Sequence, residues 1–126
     1  MTQPRMFIAA TVLGTPDPRG LASFYSQLLG WPITWNEPEW VMLKPPDGAT
    51  GLSFQLEETH EPPVWPQVPG KQQMMMHLDI AVDDLESAVA WAVQCGATVA
   101  SFQPQEKVRV LLDPAGHPFC LFPAND

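Results

Sequence analysis

Gly51-Leu52-Ser53-Phe54-Gln55-Leu56 and Gly116-His117-Pro118-Phe119-Cys120-Leu121 share one outline at an offset of 65 residues. Two landmarks repeat at nearly the same distance. Asp17, a helix start, returns as Asp84, and Gly30, a helix stop, returns as Gly96, offsets of 67 and 66. A drift this small across half the chain implies two copies of one structural unit. A duplicated unit commonly makes its binding site between the copies, so equivalent positions can be set against each other.

Outward from these segments, each copy reads in the same order. Met6 to Leu13 is apolar and β-branched, a buried strand. Asp17-Pro18 suits an N-cap and a first helical position, and Leu21, Phe24, Tyr25, Leu28 and Leu29 recur at helical spacing up to Gly30. Ile33 to Asn36 and Trp40 to Lys44 read as a hairpin, Pro45-Pro46-Asp47-Gly48 as a turn, and Gly51 to Leu56 as a further strand. The second copy opens with a strand from Met74 to Val82. Asp83-Asp84 then caps a helix with Leu85, Ala88, Val89, Ala92 and Val93 on its apolar stripe. Ala97 to Phe102, Lys107 to Leu112 and Phe119 to Phe122 are its three remaining strands. Between the copies, residues 57–73 hold four prolines and Trp65, so this stretch is neither helix nor central strand and reads as a linker folded over a surface by Trp65 and Val64.

Strand side chains alternate between faces. Phe54 with Leu56, Phe119 with Leu121, and Leu78 with Ile80 and Val82 are apolar sets suited to lie beneath the helices. The opposite faces carry Ser53 and Gln55, Pro118 and Cys120, and His77, Asp79 and Ala81. The offset of 67 sets Ala10 against His77 and Val12 against Asp79, so Ala10, Gln55, His77 and Cys120 stand at matching places. Gln55, His77, Asp79 and Cys120 supply polar groups for a ligand, and Trp40 a flat wall for it. Met76, on the Leu78 face, is expected in the core, as is Trp91 on the helix. His60 in the linker is expected to be solvated. Cys120 reads as a buried, inert thiol rather than a nucleophile.

Composition narrows the function classes. At 126 residues the chain is one domain by size, spanning 1–126, with modules at about 6–56 and 74–123 around the linker. Six scattered basic residues and a net charge of −8 exclude a nucleic-acid patch. No run of about 18 apolar residues is present, so no membrane partner is expected. Met1 to Arg5 lacks an apolar signal core, and two cysteines make no disulfide framework, so a cytoplasmic protein is expected. The acidic balance and the tryptophans point to a small-molecule ligand, planar or cationic. Exposed strand edges give a physical reason for a homodimer.

Three stretches of the second copy carry a resemblance: His77-Leu78-Asp79-Ile80-Ala81-Val82-Asp83-Asp84-Leu85, Cys95-Gly96-Ala97, and Asp113 through Leu121. With Pro16-Asp17-Pro18 through Phe24-Tyr25 and Leu29-Gly30-Trp31, they make the chain resemble the glyoxalase/bleomycin resistance/dioxygenase superfamily, the vicinal oxygen chelate proteins, in its glyoxalase-like branch. The resemblance implies an α+β fold of two tandem βαβββ modules forming a curved, incomplete barrel around a cavity. It also implies dimers, and in metal-dependent members a divalent ion on the first and last strands of each module. The positions in this chain that match are Ala10, Gln55, His77 and Cys120. A metal would fall to His77, Gln55 and Cys120. Ala10 offers no donor and Cys120 stands where the family commonly has glutamate, so the expectation is a binding protein without cofactor or metal, its ligand between the modules. The alternatives are a lyase, isomerase or dioxygenase-type enzyme on a small oxygen-rich substrate, using a metal or His77 as acid/base, and a non-catalytic association domain.

Overall fold

Each half of the chain builds a four-stranded mixed sheet with one helix, and the computed structural model describes residues 2–124. The two units are Met1–Glu58 and Thr59–Asp126. Met1, Asn125 and Asp126, the ends of the single 1–126 span, lie outside the described residues.

In the first unit the order is β1 (Ala10–Thr15), α1 (Pro18–Leu29), β2 (Ile33–Glu37), β3 (Trp40–Leu43) and β4 (Gly51–Leu56). The sheet runs β1-β4-β3-β2, with β1 parallel to β4 and the other pairs antiparallel. Asp17 caps α1 by accepting from the Gly20 N–H, and Pro18 occupies the first turn, where no amide is needed. Gly30 ends the helix at φ 73°, a left-handed conformation that glycine adopts without steric cost. The helix buries Leu21, Phe24 and Tyr25, and Tyr25 stacks on Phe54 of β4 at 5.7 Å. Phe54 therefore faces the helix, as alternation requires.

The second unit repeats this as β5 (Leu78–Val82), α2 (Leu85–Cys95), β6 (Thr98–Val99), β7 (Arg109–Leu112) and β8 (Pro118–Pro123), in sheet order β5-β8-β7-β6. Asp84 caps α2 through the Ser87 N–H and hydroxyl. The Ser87 hydroxyl, then its N–H, hold the Asp84 carboxyl below its ordinary range. Phe119, Leu121 and Leu111 form the buried centre of this sheet.

Both opening strands are shorter at their N-terminal ends than the sequence pattern suggests. Met6, Phe7 and Ile8 are 78 %, 88 % and 76 % exposed, and Met75 and Met76 are 74 % and 80 % exposed, so Met76 is not a core residue. The ladder explains this. β5 first pairs at Leu78 with Phe119, and the residue before Phe119 is Pro118, which has no amide to continue the ladder. β1 first pairs at Ala10 with Gly51, where the chain has just left the Pro45–Thr50 turn. Trp91 is 46 % exposed and so also stands outside the core.

The third difference is in β6. It contains Thr98 and Val99 alone: at the next rung the Ala100 N–H still donates to the Val110 carbonyl, but the side chain of Gln103 takes the Val110 N–H. Its amide donates to the Ala100 and Val110 carbonyls and its oxygen accepts from the Val110 N–H.

The proline-rich stretch from Thr59 onward clusters with the second unit. The Val64 N–H donates to the Gln72 carbonyl, and the Trp65 indole N–H donates to the Phe102 carbonyl at 3.0 Å. His60 is half-buried rather than solvated: its Nε2 donates to the Ala115 carbonyl at 2.9 Å, and its ring lies 4.9 Å from that of His117. The turn that receives it needs Gly116, which sits at φ 89° and would press any Cβ to within 2.7 Å of Pro62.

Candidate functional site

The strand registers place the expected site residues. Val12 pairs with Ser53 in the first unit, and Asp79 pairs with Cys120 in the second, each 67 residues further along. Ser53, rather than Gln55, is therefore the counterpart of Cys120. Gly51 is the first residue of β4, whereas Gly116 lies in the turn two residues ahead of β8, so matching the glycines slides the comparison by one strand period. A slip of two residues keeps every side chain on its face, so the face assignment is unaffected.

In the second unit three polar side chains meet. The His77 Nε2 lies 2.9 Å from Asp79 Oδ1, with side chains 35 % and 60 % exposed. Cys120, opposite Asp79 on β8, brings its sulfur close enough that one donor atom from each of His77, Asp79 and Cys120 lies within 4.8 Å of the others. His77 and Asp79 are two residues apart, so the strand's alternation puts them on one face. Burial pushes the Cys120 thiol up, and the Asp79 carboxylate adds to this by its charge and by accepting the thiol's hydrogen bond. Asp79 thus accepts from both neighbours, and the thiol keeps its proton. A protonated thiol is a poor nucleophile.

His77 and Cys120 edge a cleft of about 160 Å³ lined also by Trp65, Met74, Pro104, Gln105, Val108, Val110 and Pro118. Its wall is mostly apolar. Trp65 is the tryptophan at the cleft, a residue the sequence pattern leaves in a linker. Its signal was composition alone, a lone tryptophan among prolines.

Trp40 and Gln55 belong to the first unit, where they face each other across β3 and β4. The Gln55 amide donates to Glu57 Oε1 at 2.7 Å.

The imidazole, carboxylate and thiol form a mixed N/O/S donor set. That chemistry fits a thiophilic ion such as zinc and not magnesium or manganese, which take oxygen ligands. Binding would require the Cys120 thiol to lose the proton that burial and Asp79 now hold in place.

The model of the family described as glyoxalase-like domain matches residues 10–122. Among solved structures the chain is similar to a glyoxalase/bleomycin resistance protein/dioxygenase family enzyme from Burkholderia phytofirmans PsJN, at 18 % identity over 90 % of this chain and 95 % of that chain, TM-score 0.70. It is similar to a glyoxalase-related enzyme from Fulvimarina pelagi, at 18 % identity over 96 % and 90 %, TM-score 0.70. It is also similar to a lactoylglutathione lyase from Agrobacterium tumefaciens, at 17 % identity over 97 % and 96 %, TM-score 0.62. At these identities the likeness concerns the fold. No curated protein matches the chain.

Proposed function

The chain belongs to the glyoxalase-like domain family, and from that premise we propose that it is a small-molecule-binding protein whose ligand occupies the cleft of the second unit without a metal ion. One observation carries this reading: a mostly apolar cleft of about 160 Å³ with His77 and Cys120 in its lining and Asp79 close to both. Apolar walls with a few convergent polar groups are the composition of small-ligand sites. Trp65 favours a flat ligand. The metal-free form is supported by the donor set, since Ala10 offers no ligand atom and Cys120 stands where metal-dependent members commonly have glutamate.

The test is a thermal-shift and ligand-observed NMR panel of small planar compounds on wild type and Met74→Trp, which fills the cleft. Compounds that bind wild type and are lost in a folded Met74→Trp variant support the reading. Binding that ignores the variant rejects it. Zinc, if present, would be held by His77, Asp79 and Cys120 and would supply Lewis-acid polarisation of a ligand oxygen. Stoichiometric zinc in protein purified without chelators, lost in His77→Ala, replaces the metal-free reading.

A second reading is an enzyme that uses His77 as an acid/base, and the 2.9 Å contact with Asp79 favours it. A carboxylate on one ring nitrogen fixes the tautomer and readies the other nitrogen for proton transfer. Turnover of a small oxygen-rich substrate, abolished in His77→Ala and shifted in pH profile by Asp79→Asn, decides for it.

The partner in solution is a second copy of this chain, in a reducing, cytoplasmic compartment that suits the free Cys95 and Cys120. Met6 to Thr15 contains no charged residue, so two copies can meet there without a like-charge contact, and Met6, Phe7 and Ile8 are exposed. Sedimentation across a concentration series should give a dimer that Phe7→Glu dissociates. A monomer throughout rejects it.

A further inference from the structure

We infer that the cleft of the second unit has one fixed wall and one movable wall. The movable one is the proline-rich segment 59–74, a strap that carries Trp65 and Met74 toward or away from the opposite side. The movement belongs to the cleft itself, so it goes beyond the ligand reading and is tested without a ligand.

The fixed wall hangs on the sheet. Val110 lies in β7, Pro118 and Cys120 lie in β8, and the two strands pair with each other. Pro104, Gln105 and Val108 come from the segment that joins β6 to β7. Gln103 pins its start with bonds to Ala100 and Val110. Arg109 pins its end, its guanidinium donating to the Glu106 carbonyl at 2.8 Å and the Val108 carbonyl at 3.0 Å.

The strap is held far more lightly. None of residues 59–74 is buried; His60, Pro63, Val64, Trp65 and Met74 are half-buried and the others exposed. Among the described bonds, two side chains tie it to the rest of the unit: His60 to the Ala115 carbonyl at 2.9 Å and the Trp65 indole to the Phe102 carbonyl at 3.0 Å. Packing adds Pro62 beside Gly116, the His60 ring beside His117, and the Trp65 ring 5.8 Å from Phe102, itself 44 % exposed. A segment with so little buried apolar surface opens well below the cost of global unfolding. Its internal bonds make it move as one piece. The Val64 N–H donates to the Gln72 carbonyl at 2.9 Å, the Lys71 N–H to the Val68 carbonyl at 3.1 Å, and the Gln67 amide to the Gln73 side chain at 3.3 Å. Trp65 and Met74, the strap's two contributions to the cleft, stand in sequence beside the Val64–Gln72 neck, so a displaced neck carries both. His60 is the latch. It is outside the cleft lining, so it can be changed with every lining residue left in place.

Hydrogen exchange by NMR on the full chain tests this, each proton being referred to its own unprotected rate. In wild type the Val64 N–H and the Trp65 indole N–H should be at least about 10-fold less protected than the Val110 N–H of the fixed wall. His60→Ala, checked for a cooperative melt, should speed both strap protons by one common factor of about five, the loss of one ordinary hydrogen bond, and leave Val110 unchanged. Cleft width is read at Cys120 in a Cys95→Ser background, as the ratio of its rates with N-(1-pyrenyl)maleimide and N-ethylmaleimide. Both reagents need the same thiolate, so ionisation cancels and the ratio reports room for the larger one. His60→Ala should raise it severalfold. Strap protons as protected as Val110 in wild type overturn the movable wall, and that comparison decides alone if His60→Ala loses its cooperative melt. Acceleration of Val110 by the same factor means that His60 stabilises the whole unit, and acceleration of one strap proton without the other means local fraying; each overturns the strap. An unchanged maleimide ratio means that the strap moves without widening the cleft, and also overturns the proposal. The compound panel judges the ligand reading separately.

Discussion

The two units build the same corner and furnish it differently. β5 and β8 set Asp79 opposite Cys120, whereas β1 and β4 set Val12 opposite Ser53. Val110 stands across from Cys120, and Met42 stands across from Ser53. One alternation earlier, the second unit has His77 where the first has Ala10. The first unit therefore has no titratable side chain at this corner, and its Ser53 is buried. Backbone ladder and helix contacts fix the other face, where Phe54 and Leu121 hold equivalent places at 0 % and 1 % exposure. A duplicated scaffold can in this way carry chemistry in one copy.

The comparison is broken most severely at the shared core. Phe54→Ala is expected to cost about 3–5 kcal/mol and Leu121→Ala about 2–5 kcal/mol, because neither site can collapse onto the space left behind. Phe54→Ala also loses the Tyr25 stack. Urea denaturation followed by far-UV circular dichroism measures both. Near-neutral behaviour of either residue would mean that the two faces are not equivalent after all.

Next come the turns that lead into β4 and β8, where the units diverge. Asp113 is 4 % exposed and accepts from the Ala115 and His117 N–H groups, both at 2.9 Å. Asp47, in the matching turn, is exposed and accepts from Ala49 alone among the described bonds of its carboxylate. Asp113→Ala should cost about 1–3 kcal/mol by leaving buried amides unpaired. Asp47→Ala should stay within about 0.5 kcal/mol, as exposed substitutions do. Equal losses would show that burial does not separate the turns.

These differences bear on what the sequence could disclose. Parity assigned faces correctly because a strand's period is two, and a two-residue slip leaves it intact. Depth along the strand was not legible: Gly51 and Gly116 look alike as letters, but one opens a strand and the other turns ahead of one. His77, Asp79 and Cys120 were legible as one face of the second copy. The bond between His77 and Asp79 was not, because alternation fixes a side and leaves the rotamers open. Trp65 was legible as a residue that folds the linker over a surface, but not which surface, since a proline-rich stretch has no periodicity to say what it covers. The short β6 was missed because a glutamine side chain takes half of the backbone pairing at its next rung, a substitution that leaves no mark in hydrophobic pattern.

The comparison is sharpened at the thiols. Asp79 and burial keep the Cys120 thiol above its ordinary range, so at a given pH less thiolate is present than in a free cysteine, and the pH curve of alkylation is displaced upward. Asp79→Asn removes the charge and weakens the acceptor. In a Cys95→Ser background, iodoacetamide should then modify Cys120 severalfold faster at mildly alkaline pH. The same experiment on Ser53→Cys, in a Cys95→Ser and Cys120→Ser background, asks what the first unit's corner does to a thiol. With Val12 as the paired residue, its curve should lack the upward push that the paired carboxylate gives Cys120. An unchanged Cys120 rate after Asp79→Asn would mean that burial alone governs the thiol.

The smallest effects lie at the helix caps. Asp17 accepts from the Gly20 N–H at 3.1 Å, and Asp84 accepts from both the N–H and the hydroxyl of Ser87. Asp17→Ala should cost about 0.5–1 kcal/mol, the ordinary value of one cap bond. For Asp84 the informative variable is pH. Its carboxyl is held below the ordinary range, first by the Ser87 hydroxyl and then by the Ser87 N–H. The folded state therefore favours the ionised form, and the cap's contribution is present above the unfolded carboxyl range. It is lost as pH falls through the depressed folded value. The melting-temperature gap between wild type and Asp84→Ala should thus be open at neutral pH and close in acid. Ser87→Ala, which keeps the N–H bond and removes the hydroxyl, should close part of that gap at neutral pH and move the acid midpoint upward. A gap that persists unchanged in acid would mean that Asp84 acts through shape rather than charge.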